Sequence, residues 1–227
     1  MRERVVSQGI SNMPAHEILE FLLYPLIPLK DTNPIAHDLI DRFGCLENVF
    51  DASPKLLLEV KNMTRNAALY LSAFPQIIKR YNIQKFGQKP VLDTVAHAVE
   101  YLKQLFLGEK EEALYMLILN AKGMLLSSCK VGEGNLTSCQ LDTREFILRT
   151  ADSHGNCIMI AHNHPSGSPL PSYDDCEFTR WLISIAEVLG ITLIDHIIIA
   201  AEGYYSFREN DMLADYAGAF KVYMDNA

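Results

Sequence analysis

The feature that most constrains the fold is an apolar run that ends in two histidines. Residues Ile158 to Ala161 are all apolar, and His162-Asn163-His164 follow directly. A run without polar alternation is typical of a strand that is covered on both faces, which places it near the middle of a sheet. Alternate side chains of an extended strand project to the same face. We therefore expect His162 and His164 to lie side by side where this central strand ends.

The residues after the two histidines complete a possible set of metal ligands. A loop rich in proline and glycine, residues 165–171, turns the chain, and Asp175 follows at the start of a predicted helix. Two imidazoles and a carboxylate, with a fourth position left for water, are typical ligands of a catalytic zinc ion. Ser172 and Asp175 also match a capping box, which stabilises a helix N-terminus. The residues alone leave this structural role open.

Hydrolysis at such a zinc ion also needs a general base that is not itself a ligand. Zinc lowers the pKa of a bound water from about 15.7 to about 7, and a carboxylate must then accept the proton of that water. Glu111 and Glu112 directly precede a predicted strand, and composition does not choose between them.

The pair Asp195-His196 lies inside another apolar run, where it fits either a satisfied buried polar pair or a role in orienting the metal ligands.

Strands and helices alternate through the second part of the chain. Helices are predicted over residues 91–107, 144–152 and 172–189. Strands are predicted over residues 113–119, 124–130, 157–164, 191–200 and 204–207, and a turn at 120–123 makes the first two a hairpin. The inward face of the helix at 172–189 is expected to carry Phe178, Trp181, Leu182, Ile185 and Leu189. The predicted fold class is therefore α/β (α+β), with a mixed sheet flanked by helices.

The first part of the chain is predicted to be a small all-helical domain. Apolar residues recur at helical spacing between residues 11 and 81, and Asn33-Pro34 is expected to cap one helix and open its first turn. Thr64 is expected to cap a helix from Arg65 to Tyr81 that Pro75 interrupts. Residues 83–90 are poor in apolar side chains. The predicted organisation is a helical domain at 1–82, a linker at 83–90 and the sheet domain at 91–227.

Charge and cysteine content exclude several classes of protein. The 227-residue chain has a net charge of -8, which gives no overall attraction for nucleic acid. Residues 1–90 hold 11 Lys and Arg against 9 Asp and Glu, whereas residues 91–227 hold 9 against 19. The five cysteines form no Cys-x-x-Cys pair, which argues against a zinc deaminase and against a disulfide framework. Without an apolar run of about 18 residues or a signal core, we expect a cytoplasmic protein with no membrane contact.

Joined together, Glu112, His162-Asn163-His164-Pro165, Ser172 and Asp175 resemble the signature of the JAMM, or MPN-type, metalloproteases. Longer segments are similar to a branch of that family, the bacterial RadC (UPF0758) proteins. In the second domain these are residues 134–135, 144–146, 162–167, 171–172, 195–198 and 204–207. In the first domain they are residues 17–24 and 30–36. The resemblance covers nearly the whole chain.

The resemblance implies a fold and an activity for the second domain. The fold would be the MPN, or JAB, fold, and the activity would be zinc-dependent hydrolysis of an amide or isopeptide bond in a protein or peptide substrate. Metal-bound hydroxide would attack the carbonyl carbon. The resemblance implies Glu112 as the general base, Ser172 as the residue that binds the metal-bound water and the tetrahedral intermediate, and His162, His164 and Asp175 as the zinc ligands.

The first domain resembles the helix-hairpin-helix DNA-binding units of RadC proteins. Two hairpin glycines in those units let backbone N–H groups approach a phosphate and tolerate a positive φ. Here Asn62 and Thr64 replace both glycines, and Asn tolerates a positive φ better than Thr does. The alternative function is thus a DNA-associated repair or recombination accessory protein, which would contact DNA through Lys61 and Arg65 and use the MPN domain as a docking platform.

Overall fold

The computed structural model describes residues 2–134, 148–150 and 155–217. Its tertiary contacts divide the chain into two units, Met1–Arg80 and Tyr81–Ala227. Each unit has a hydrophobic core of its own. The division falls inside a helix, and residues 83–85, which begin the predicted linker at 83–90, are helical.

The first unit is helical, as predicted. Its helices are α1 (Arg2–Gln8), α2 (Ala15–Leu23), α3 (Asn33–Phe43), α4 (Leu46–Asp51), α5 (Pro54–Leu57) and the larger part of α6 (Arg65–Lys85). All of them except α1 contribute fully buried side chains to one core, among them Leu19, Leu39, Val49, Leu57 and Leu71. The apolar stripes of α2 to α6 are therefore covered by neighbouring helices.

Local capping sets several helix ends in this unit. Helix α3 begins at Asn33, with Thr32 as its N-cap and Pro34 in the first turn, so the cap lies one residue earlier than predicted. Thr64 caps α6 as predicted, because its Oγ1 accepts a hydrogen bond from the backbone N–H of Ala67 at 3.1 Å. The predicted interruption at Pro75 is wrong, since α6 continues through it to Lys85. Proline removes only one N–H from a helix, and packing can offset that loss.

The second unit contains the predicted mixed sheet. Its elements are α7 (Val95–Leu105), β1 (Ala113–Leu119), β2 (Leu125–Glu133), β3 (Cys157–His164), α8 (Tyr173–Val188), β4 (Thr192–Ala200) and β5 (Gly203–Ser206). The strand order in this described part of the chain is β2-β1-β3-β4-β5. Strands β3 and β4 are parallel and joined through α8, whereas the other neighbouring pairs are antiparallel. The fold class and the central place of β3 are confirmed.

The two faces of the sheet are covered by different helices. Met159 and Ala161 of β3 belong to a core with α7, while Ile158 and Ile160 belong to a core with Leu182 of α8. This alternation is the period of two that a strand imposes. It places His162 on the α8 face, with Ile158 and Ile160.

The inward face of α8 differs from the prediction at two residues. Trp181 and Leu189 are each 37% exposed, whereas Asp175, Thr179, Leu182, Ile183 and Ala186 are buried. The buried face of α8 thus includes two polar residues: Asp175 faces the histidines at the end of β3, and Thr179 contacts His196 of β4. Of the helix predicted at 144–152, only residues 148–150 are described, and they are helical; the rest of it lies outside the described residues. No helix in the described ranges is long and apolar enough to cross a membrane.

Candidate metal centre

The antiparallel pairing of β1 with β3 brings together residues that are fifty positions apart. Leu114 lies opposite His162, so the start of β1 meets the end of β3. Glu112 precedes Leu114 by two residues and, by the same alternation, falls on the face that carries His162. Glu111 falls on the opposite side and is exposed. The register therefore distinguishes between two adjacent glutamates that composition leaves equivalent.

The side chain of Asn163 holds the start of β1 in place. Its Oδ1 accepts a hydrogen bond from the N–H of Ala113 at 2.8 Å, and its Nδ2 donates to the carbonyl of Glu111 at 3.1 Å. These two bonds bracket Glu112, which is partly buried. The residue between the two histidines thus fixes the backbone that carries the candidate base.

The two histidines meet with their Nε2 atoms. His162 Nε2 and His164 Nε2 are 2.9 Å apart, and His162 is fully buried while His164 is partly exposed at the cleft. His164 Nδ1 lies 3.0 Å from the carbonyl of Ser168. Because a carbonyl can only accept, this Nδ1 carries the proton, and in the neutral ring the Nε2 lone pair faces His162.

Asp175 completes the group from the first turn of α8. Its Oδ1 lies 3.2 Å from His162 Nε2, and its Oδ2 lies 3.4 Å from His164 Nε2. The predicted capping box is also formed: Ser172 donates to Asp175 Oδ2 from both its N–H and its Oγ at 2.7 Å, and Ser172 Oγ accepts from the Asp175 N–H at 3.2 Å. Helix capping and the presentation of the carboxylate to the histidines are therefore one arrangement.

Burial and mutual contact shift the pKa values of the three side chains in different directions. Burial lowers the pKa of His162, although Asp175 opposes this effect. The hydrogen bond with Asp175 raises the pKa of His164, and the charge of Glu112 adds to the effect. Burial alone would raise the pKa of Asp175, but the contacts with His162 and His164 hold it well below its ordinary value. Asp175 is consequently ionised over the whole neutral range.

The chemistry of these donors fits a metal ion. One ligand atom from each of His162, His164 and Asp175 lies within 4.8 Å of the other two. Two imidazole nitrogens and an ionised carboxylate that converge in this way repel one another unless a proton or a metal cation lies between them. The group could therefore bind a metal.

A cleft of about 340 Å³ opens onto this group. Its walls are formed by Glu112, His164, Ser166, Ser168, Leu170, Ser172, Asp174 and Asp175. All of the residues predicted for the site except His162 line the cleft directly, and His162 lies behind them. The cleft thus gives access to the candidate metal ligands and to Glu112 and Ser172 together.

The structure also brings two further buried residues to the cluster. His196 Nε2 lies 2.9 Å from His162 Nδ1, and His196 Nδ1 lies 2.7 Å from Thr179 Oγ1. Burial lowers the pKa of His196 well below its ordinary value. Asp195 points elsewhere and accepts hydrogen bonds from Ser206 Oγ and the Arg208 N–H. Of the two roles open for Asp195-His196, His196 contacts the candidate ligand His162, whereas Asp195 is a satisfied buried acid.

Sequence reasoning missed Thr179. The available signal was its spacing from Asp175, because residues four apart share one face of a helix. A threonine in mid-helix carries no motif, however, and its partner His196 comes from another element. This contact is visible only once β3, β4 and α8 are assembled.

The fold and the cluster define an α/β domain with a site that could bind a metal. A family model described as the RadC-like JAB domain matches residues 92–212. The chain is 30% identical over 213 residues to a UPF0758 protein of Rhodobacter capsulatus, covering 94% of this chain and 100% of the relative. Similar UPF0758 proteins of Ruegeria pomeroyi and Fusobacterium nucleatum are each 29% identical, over 94% of this chain and 95% of the relative. The chain belongs to the RadC-like JAB domain family.

Proposed function

We propose that the protein is a zinc-dependent hydrolase of amide or isopeptide bonds in a protein or peptide substrate. The observation that supports this proposal is the convergence of His162, His164 and Asp175 at the base of a cleft that Glu112 also lines. Histidine nitrogens favour zinc over magnesium and calcium, which prefer oxygen ligands. Three protein ligands also leave one coordination position for the reaction.

The chain would supply the proton transfers. A bound zinc ion would polarise the substrate carbonyl and acidify a water molecule. Glu112 would accept the proton of that water and deliver it to the leaving nitrogen, a role for which its place on the cleft wall is suited. Ser172 would donate its hydroxyl proton to the developing oxyanion. In the structure that proton is donated to Asp175 Oδ2, so this role requires the hydroxyl to turn toward the substrate.

The test compares Glu112→Gln with Glu111→Gln, which makes the same change one residue away on an exposed side chain. Zinc content and hydrolysis of a panel of peptides and isopeptide-linked peptides are measured. We expect Glu112→Gln to bind zinc normally and to hydrolyse about 10²–10⁴-fold more slowly, since it loses the general base. Glu111→Gln should match the wild type.

Two results would contradict the assignments. If Glu112→Gln is as active as the wild type, Glu112 is not the base. If His164→Ala retains stoichiometric zinc, the ligand set is wrong. Absence of hydrolysis by the wild type on every linkage, with zinc bound, would leave a metal site without the proposed activity and would remove the proposal.

A DNA-associated role for the first unit has support at one residue. Asn62 holds a φ of 64°, so it keeps the backbone shape that a hairpin glycine would give. Thr64 caps α6 at Ala67 and thereby occupies an N–H that a phosphate would use. We therefore rank DNA binding below hydrolysis. If the first unit binds DNA, its affinity for duplex DNA should fall steeply with salt concentration and should be lost in the double variant Lys61→Ala, Arg65→Ala. Unchanged affinity in that variant would exclude DNA binding through the hairpin.

A further inference from the structure

A line of hydrogen bonds leads from His162 away from the cleft and back to the helix that carries Asp175. His162 Nδ1 contacts His196 Nε2 at 2.9 Å, and His196 Nδ1 contacts Thr179 Oγ1 at 2.7 Å. Thr179 Oγ1 donates to the backbone carbonyl of Asp175 at 2.6 Å. The side chains of His162, His196 and Thr179 have no solvent exposure. Each polar atom in the line can therefore be satisfied only by its neighbour.

The donor and acceptor roles along this line are fixed by the contact between Thr179 and the carbonyl of Asp175. A backbone carbonyl only accepts, so the single hydroxyl proton of Thr179 points to Asp175, an arrangement common for threonine in helices. The threonine oxygen must then accept from His196 Nδ1. A neutral His196 has no second proton, so its Nε2 accepts, and the bond between the two rings is donated by His162 Nδ1. The Nε2 lone pair of His162 is thereby directed at His164 and Asp175.

The reverse direction would disable the ligand. If Thr179 donated to His196 Nδ1, His196 would donate to His162, and His162 would carry its proton on Nε2. A protonated Nε2 cannot bind a metal ion. The position of the Thr179 hydroxyl proton thus decides, through His196, whether His162 has a metal-binding or a non-binding tautomer.

The middle ring of the line is held rigidly. The rings of His196 and Phe207 stack with centroids 4.7 Å apart and planes 8° from parallel, and the Phe207 N–H donates to the His196 carbonyl at 3.0 Å. This stack and the edge-on ring of Phe178, whose centroid lies 6.0 Å from that of His196, leave the imidazole little freedom to rotate. Its two nitrogens stay aimed at His162 and Thr179.

We propose that Thr179 and His196 are positioning residues that set the tautomer of His162 and so prepare the site for its metal. Neither residue lines the cleft, so neither contacts the substrate. The inference rests on the proposed metal centre, but the tautomer it assigns to His162 is a property of the metal-free chain. It can therefore be tested with and without zinc.

The experiment compares the full-length wild type with Thr179→Val, which removes the hydroxyl at nearly constant volume, and with Thr179→Ser, which keeps it. Side-chain ¹⁵N NMR of His162 in metal-free protein reports which nitrogen carries the proton. Competition with a chromophoric chelator gives the zinc Kd. We expect wild type and Thr179→Ser to hold the proton on Nδ1 and to bind zinc within a few-fold of each other. Thr179→Val should populate the Nε2 tautomer and bind zinc about 10–100-fold more weakly, the usual cost of losing a partner behind a ligand.

Several outcomes would overturn the inference. A proton on Nε2 of His162 in the metal-free wild type would do so without any variant. Equal zinc affinity for Thr179→Val and wild type would do so as well, and so would an equal loss in Thr179→Ser and Thr179→Val, which would indicate a packing effect. A wild type that binds no zinc would remove the proposed function, whereas the NMR result would still decide the tautomer.

Discussion

At the scale of single residues, two identical side chains two positions apart have different proton chemistry. Burial lowers the pKa of His162, so this ring is neutral at pH 7. His164 is partly exposed beside Asp175, and that contact raises its pKa above the ordinary value of 6.5. A metal ion that binds here would therefore meet one histidine that is already deprotonated and one that still holds a proton at slightly acidic pH.

This difference predicts how zinc affinity depends on pH. A raised pKa means that His164 is protonated below it, so zinc must displace that proton and its affinity falls as pH falls through the raised pKa of His164. His162 and Asp175 add little between pH 6 and pH 8, because one is already neutral and the other already ionised. Calorimetric titration in buffers of different ionisation enthalpy should show release of about one proton per zinc near pH 6, where a zinc-bound water with a pKa of about 7 would still hold its proton. Release of about two would mean that both rings are protonated in the metal-free chain.

Much of the site follows from the sequence because the relevant residues share local segments. His162 and His164 occupy alternate positions of one strand, so they face the same side, and Ser172 and Asp175 lie within one helical turn. The choice between Glu111 and Glu112 is different: residues alone leave it open, and only the pairing of β1 with β3 gives it a physical basis. Thr179 was not predicted, and the two roles left open for His196 are separated only when β3, β4 and α8 are assembled.

At the scale of elements, the N-terminus of α8 combines helix capping with a carboxylate of the candidate metal site. Ser172 and Asp175 satisfy each other's backbone N–H groups, and the same carboxylate faces both histidines. The prediction of an inward face for α8 failed at Trp181 and at Leu189, which caps the helix after its last residue, and it omitted the buried Asp175 and Thr179. Apolar spacing locates the stripe that packs on a sheet, but it cannot anticipate that a buried carboxylate and hydroxyl will take positions within it.

Replacing Ser172 should therefore cost stability as well as activity. We expect Ser172→Ala to lower the free energy of unfolding of the metal-free protein by about 1 kcal/mol, the usual value of an N-cap side chain. Ser172→Asn, which retains a side-chain oxygen for the Asp175 N–H, should lose only a few tenths. Urea denaturation followed by circular dichroism measures both. An equal loss in the two variants would mean that the cap is not what Ser172 contributes to stability.

At the scale of the whole molecule, the two units have separate hydrophobic cores. The predicted residues of the metal site all belong to the second unit, Tyr81–Ala227. Helix α6 extends across the division, which composition could not indicate, because residues 82–85 are poor in apolar side chains. Helix α6 is thus continuous at the point where the chain passes from one hydrophobic core to the other.

Separate cores predict separate consequences of core substitutions. Leu39 and Leu117 are both fully buried, the first in the core of the helical unit and the second in the core shared by α7 and the sheet. Leu39→Ala should destabilise its unit by about 2–5 kcal/mol and leave the zinc Kd unchanged at temperatures where the second unit is folded. Leu117→Ala should lower the stability of the second unit by a similar amount and reduce the zinc-bound fraction. Calorimetric scans with and without zinc distinguish the two, and a zinc Kd that rises in Leu39→Ala would show that the units are coupled.

The side-chain amide of Asn163 affects the register in which β1 pairs with β3. All seven residues of β1 are buried, so neither face of the strand is marked by polar side chains. A slip of one residue along β3 would therefore lose little hydrophobic contact, although it would exchange the two faces. It would also break both hydrogen bonds from Asn163 and turn Glu112 away from the cleft, bringing Glu111 toward it. The two hydrogen bonds of Asn163 thus favour the observed register of β1. Because Glu111 and Glu112 are adjacent, this register also decides which of the two carboxylates faces the cleft.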